Sequence, residues 1–87
     1  MSWSVQFTPR AEKELARPSA SDQRRILDFL DQRVSVPHPR ALAKRLSGLK
    51  EEARWFRVGD CRIIVRFLDD RLIVLVVHVG HRREVYR

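Results

Sequence analysis

Arginines recur through the second half of this sequence at spacings suited to phosphate chemistry: Arg57, Arg62 and Arg66, then Arg82 and Arg83, with Trp55 and Tyr86 among them. Gly59 and Asp60 lie between the first two and supply the residues of a tight hairpin turn, which sets Arg57 and Arg62 on neighbouring strands. A guanidinium is a planar fork that meets phosphate oxygens two at a time, so several on one face neutralise several phosphates together. An interleaved aromatic ring can stack an unpaired base for about 1–3 kcal/mol. Together these features suit single-stranded RNA, whose bases are free to splay. The same arginines also serve simply to hydrate an exposed sheet face. Acid–base groups are few. Arginine stays protonated and makes a poor base. His81, beside the arginine pair, has the imidazole suited to proton transfer near neutrality. His38, between two prolines, and His78, in an apolar run, read as structural, and Glu84 as a partner for a local arginine. The single cysteine, Cys61, excludes an internal disulfide. With no Cys/His cluster of ligand spacing, neither a metal nor another cofactor is expected.

The whole chain agrees with a polyanionic partner. Lys and Arg number 18 against 11 Asp and Glu, a net charge of +7 over 87 residues. Lys13, Lys44 and Lys50 are the only lysines, so the excess rests on arginine. At 44% hydrophobic residues the chain can fold, and its length allows one modest core, hence a single domain over residues 1–87. The longest apolar run, 72–77, is far short of the roughly twenty residues of a membrane span, and no secretory leader is visible at the start. No membrane association and a cytoplasmic location are the expectation.

The elements that position the arginines follow from periodicity. Trp3, Val5 and Phe7 alternate with polar residues, which predicts a strand over 3–8. Thr8 can cap, Pro9 suits a first helical position, and Ala11 and Leu15 share one face, so a short helix runs to about Pro18. Ile26, Leu27, Leu30 and Val34 mark the buried stripe of a second helix over 21–34, with a solvated face of mixed charge. The Val36-Pro37-His38-Pro39 stretch ends it. Residues 40–50, with Leu42, Leu46 and Leu49, read as a docked loop or short helix. From Arg54 alternation returns: Phe56 and Val58 on one face, Trp55 and Arg57 on the other, then Cys61, Ile63, Val65 and Phe67 inward with Arg62, Ile64 and Arg66 outward. A turn at 69–71 leads to a central strand over 72–79, and Gly80 breaks the pattern. The order is βααβββ, an α+β domain with two N-terminal helices on one face of a small, mainly antiparallel sheet. The other face is left for function.

The runs Arg57-Val58-Gly59-Asp60-Cys61-Arg62-Ile63-Ile64 and Val79-Gly80-His81-Arg82-Arg83-Glu84-Val85-Tyr86 resemble the RelE family, toxins of bacterial type II toxin–antitoxin systems, within the RelE/ParE superfamily. Phe7-Thr8-Pro9-Arg10-Ala11 and Leu46-Ser47-Gly48-Leu49 also stand where that family has similar residues, so the likeness covers nearly the whole chain. The resemblance implies a microbial-ribonuclease-like fold and a metal-independent, ribosome-dependent endoribonuclease. Such an enzyme cuts mRNA in the ribosomal A site by 2′-hydroxyl attack, inhibits translation, and is silenced by a cognate antitoxin in a toxin–antitoxin hetero-oligomer. Carried over by position, it implies Arg57, Arg62, Arg82 and Tyr86 as catalytic, with Arg54, Trp55, Arg66, His81 and Arg83 contacting RNA. Tyr86 becomes the general base if neighbouring arginines favour its phenolate, with His81 the competing candidate. One departure stands out: the family often has a basic residue preceded by an aromatic where this chain has Arg54-Trp55. Alternation then points Arg54 away from Arg57 unless a bulge intervenes. The alternatives are a ParE-like toxin that poisons gyrase by protein contact, and an RNA-binding module without turnover.

Overall fold

A computed structural model describes residues 3–35, 44–45 and 53–81. It contains β1 (Ser4–Phe7), α1 (Pro9–Leu15), α2 (Ala20–Val34), β2 (Lys44–Arg45), β3 (Ala53–Val58), β4 (Cys61–Leu68) and β5 (Ile73–His81). Both helix starts have the expected chemistry. Thr8 Oγ1 accepts the Ala11 amide at 3.1 Å, with Pro9 in the first turn, and Ser19 Oγ accepts from Asp22. Such caps satisfy amides that have no partner inside the helix, each worth about 1 kcal/mol. The first helix stops at Leu15, three residues before the expected Pro18.

The strands form one sheet in the order β1-β5-β4-β3-β2. β1 runs parallel to β5, and the other pairings are antiparallel. Two expectations are corrected. Lys44 and Arg45, expected in a docked loop or helix, pair with Trp55 and Arg54 as a two-residue edge strand, because an adjacent β3 edge offers backbone partners that local propensity does not reveal. Gly80 does not end the last strand, which continues to His81 because Arg62 and Cys61 supply ladder partners to both residues.

The expected inward residues Ile63 and Val65 are fully buried, as are Ile26 and Leu30 of α2 and Val74 and Val76 of β5. Phe29 of α2 meets Phe56 edge-on at 5.4 Å, and Trp3 meets Phe67 at 5.8 Å. Ala11 and Leu15 of α1 join the same core as Phe29 of α2, which sets both helices on the face that carries Val5, Phe56, Ile63 and Val74. The helix-free face carries Trp55, Arg57, Arg62 and Arg66 by alternation.

Between β3 and β4, Gly59 has φ of +59° and Asp60 stays negative, the φ signs of a type II′ turn with glycine first. That turn keeps the β3–β4 register unbroken from Val58↔Cys61 to Ala53↔Arg66. The sheet's irregularity lies between β4 and β5, where Ile64 pairs with His78 and Val65 with Val76, leaving Val77 as the extra residue.

Candidate active site

The hairpin brings Arg57 and Arg62 directly opposite one another. Two like charges in that position repel, so their side chains must diverge or share an anion. They diverge. Arg57 is exposed and its Nε donates to the Gly59 carbonyl at 3.4 Å. Arg62 is only 5% exposed, and its guanidinium lies 3.8 Å from the centre of the Trp55 ring. A guanidinium is weakly hydrated and planar, and it can be taken from water when an aromatic face supports it. The outward arginines therefore do not form a uniformly solvated platform. Arg57 reaches solvent, Arg66 is half-buried opposite Ala53, and Arg62 is held down against Trp55.

This arrangement gives Trp55 a role that spacing did not show. One ring face covers Arg62, so the ring acts first as a support for the cation. Arg54 takes the course that alternation dictates. The β3–β4 register is continuous, and Arg54 pairs with Val65, a fully buried core residue, which places it on the helix-covered face away from Arg57. The bulge that would have restored it lies in the β4–β5 ladder instead. His81 is the last residue of β5, in register with Cys61. Arg82, Arg83 and Tyr86, with His38 and Glu84, lie outside the described residues.

A further group was not legible in the sequence because its members lie 64 positions apart. His78 Nδ1 sits 2.9 Å from Glu14 Oε1 and 2.7 Å from Oε2, and the Val79 amide donates to Oε1 at 3.1 Å. Beside it, Glu14, Arg17, Asp22, Asp60, Cys61 and Gly80 line a cavity of about 340 Å³. Among the described residues, Arg54, Arg57, Arg62 and Arg66 do not line it.

Residues 5–86 match the model of the ParE toxin of type II toxin–antitoxin systems, parDE. The chain belongs to that toxin family. It lies within the RelE/ParE superfamily, as the sequence resemblance implied. No curated protein matches the chain by sequence. Among solved structures, it is similar to the archaeal RelE–RelB complex from Pyrococcus horikoshii, with 24% identity, 94% of this chain and 97% of that chain covered, and a TM-score of 0.75. It is likewise similar to the intact E. coli RelBE toxin–antitoxin complex, at 20% identity, 91% and 95% coverage and a TM-score of 0.74. For the isolated E. coli RelE toxin the values are 23%, 97% and 90%, with a TM-score of 0.74. These likenesses show a RelE-type α+β fold. Among the described residues no helix is long and apolar enough to cross a membrane.

Proposed function

We propose that this toxin is a ribosome-dependent endoribonuclease that cleaves mRNA in the ribosomal A site and is neutralised by a cognate antitoxin in the cytoplasm. The observation that supports this most directly is the Arg57/Arg62 pair, opposite in register, with Arg62 buried against Trp55. Although the two side chains diverge here, a phosphate gaining charge at its transition state is an anion that two cations opposite in register can share.

In the reaction, the 2′-hydroxyl loses its proton and attacks the adjacent phosphorus. The phosphorane dianion forms against the guanidiniums, and the 5′-oxygen leaves with a proton, giving a cyclic phosphate and a new 5′-hydroxyl. Arg57, Arg62 and Arg82 serve the charge, and Tyr86 serves the proton from the nucleophile. Arg66, Arg83 and His81 hold the strand, and Trp55 acts through Arg62. A site this poor in ordinary bases relies on a substrate held in line by the ribosome, so free RNA is a poor substrate. The antitoxin reading draws on the solved relatives, two of which are complexes with RelB-type partners.

The family match is to a ParE model, which favours gyrase poisoning as the second reading. One comparison separates the two: purified chain added to programmed ribosomes, and to gyrase with supercoiled DNA. A-site cleavage with intact DNA is expected. Gyrase-dependent breaks with uncut mRNA overturn the nuclease assignment, and stable ribosome binding without cleavage leaves only an RNA-binding module.

A further inference from the structure

β1 supports only the first part of β5. Its amides at Ser4 and Thr8 donate to the carbonyls of Leu72 and Val76, and at Thr8 the chain turns into α1. Past Val76 no described strand pairs with this edge of β5, just where Val77 is bulged out of the ladder on the other side. A bulge changes which amides face the edge, and a one-residue slip there would exchange the two faces of the strand beyond it. That stretch of β5 holds Val79 in the core and Gly80 opposite Arg62.

Glu14 fills this gap. It projects from the last turn of α1, and its Oε1 accepts the Val79 amide at 3.1 Å, as a neighbouring strand's carbonyl would. The same carboxylate meets His78 Nδ1 at 2.7 Å, while Arg10 Nε, one turn earlier on α1, approaches from the solvent side at 3.5 Å. Glu14 and His78 side chains are 14% and 21% exposed, so these bonds are partly shielded from competing water. A carboxylate only accepts, so the imidazole donates from Nδ1.

We propose that Glu14 is a positioning residue for the candidate active site. By taking the Val79 amide, it holds the end of β5 in one register past the bulge, and with it Gly80 against Arg62, while the His78 imidazole is a second partner of the same carboxylate. This rests on the ribonuclease reading for its effect on cleavage, whereas the structural part can be measured without it.

The test uses the full chain with Glu14→Ala, Glu14→Gln and His78→Phe. It measures amide hydrogen exchange at Val79 and Gly80 and single-turnover cleavage on saturating programmed ribosomes. Glu14→Ala is expected to speed exchange at both amides about tenfold or more and to slow cleavage by a similar factor, the scale set by one lost partly buried hydrogen bond to a charged group. Half-saturating ribosome concentration should stay within about threefold. Glu14→Gln keeps an oxygen for Val79, and its amide nitrogen can donate to His78 Nδ1 once the imidazole carries its proton on Nε2, so it should stay within about threefold of the parent in both readings. His78→Phe should do the same, because the Val79 bond survives. Wild-type exchange and cleavage in Glu14→Ala overturn the proposal, as does a loss in Glu14→Gln equal to that in Glu14→Ala. Should Glu14→Ala not fold, His78→Phe decides: cleavage lost with Val79 still protected makes the imidazole the working group and overturns the assignment to Glu14. If the unmodified chain cuts nothing on ribosomes, the nuclease reading fails, and the exchange comparison alone decides for or against the Glu14 clamp.

Discussion

At the scale of single residues, the candidate site contains a buried cation resting on an aromatic ring. Arg62 should tolerate lysine only in part, since lysine keeps the charge and loses the planar fork that lies over Trp55. We expect ribosome-dependent cleavage in the order Arg > Lys > Ala at position 62, with alanine lower by about 10²-fold or more. Equal rates for lysine and arginine would show that charge alone is used. Trp55 should be worth about three- to thirty-fold through Arg62, with Trp55→Phe retaining most of it. A double-mutant cycle checks the route: in an Arg62→Ala background, Trp55→Ala should cost little more. An undiminished cost in that background would assign the ring to RNA stacking. For the proton, Tyr86→Phe should slow single-turnover cleavage by about 10²-fold with ribosome binding little changed, and His81→Gln should be mild. The reverse pattern would move the base to His81.

At the scale of elements, the β3–β4 hairpin sets the distance between the two facing arginines. Gly59 occupies the left-handed region at φ +59°, and a Cβ built there would approach Arg25 Nη1 of α2 at 3.3 Å. Gly59→Ala should therefore destabilise the fold by about 1–2 kcal/mol, the cost of a non-glycine residue at positive φ. Thermal unfolding should show a midpoint lower by about 4–8 °C per kcal/mol for a domain of this size. An unchanged midpoint would mean that the turn readily adopts another type. Leu72, at φ 54°, bears the same kind of strain at the entry to β5, yet it is half-buried, so its side-chain packing offsets part of that cost.

For the molecule as a whole, the charge of +7 acts over distances longer than any single contact. An acidic antitoxin should be steered towards it, with an association rate that falls as salt rises from about 0.05 to 0.5 M, because the screening length shortens from about 14 Å to about 4 Å. Stopped-flow mixing measures this, and a salt-independent rate would place recognition in uncharged contacts. Expression without a partner should arrest growth and translation. Unchanged growth with abundant folded protein would count against toxicity itself.

Much of this architecture is carried by local signals. Thr8-Pro9 marks a helix start, Gly59-Asp60 marks a hairpin, and the alternation from Phe56 to Phe67 assigns each residue to a face, because capping, turn chemistry and the period-two strand depend on near neighbours. That same alternation correctly separates Arg54 from Arg57 and pairs the Arg57 strand with the Arg62 strand. Other features depend on residues far apart in the chain. The parallel seat of β1 beside β5, the pairing of Lys44 and Arg45 with β3, the extension of β5 to His81 and the bulge at Val77 are choices among backbone partners, and the propensity of a short segment does not reveal which edge will be free. The burial of Arg62 on Trp55 and the Glu14 bond to His78 and Val79 belong to the same class. Spacing can show that an arginine faces outward from the core, but whether water or an aromatic ring meets it is decided only when the sheet is assembled.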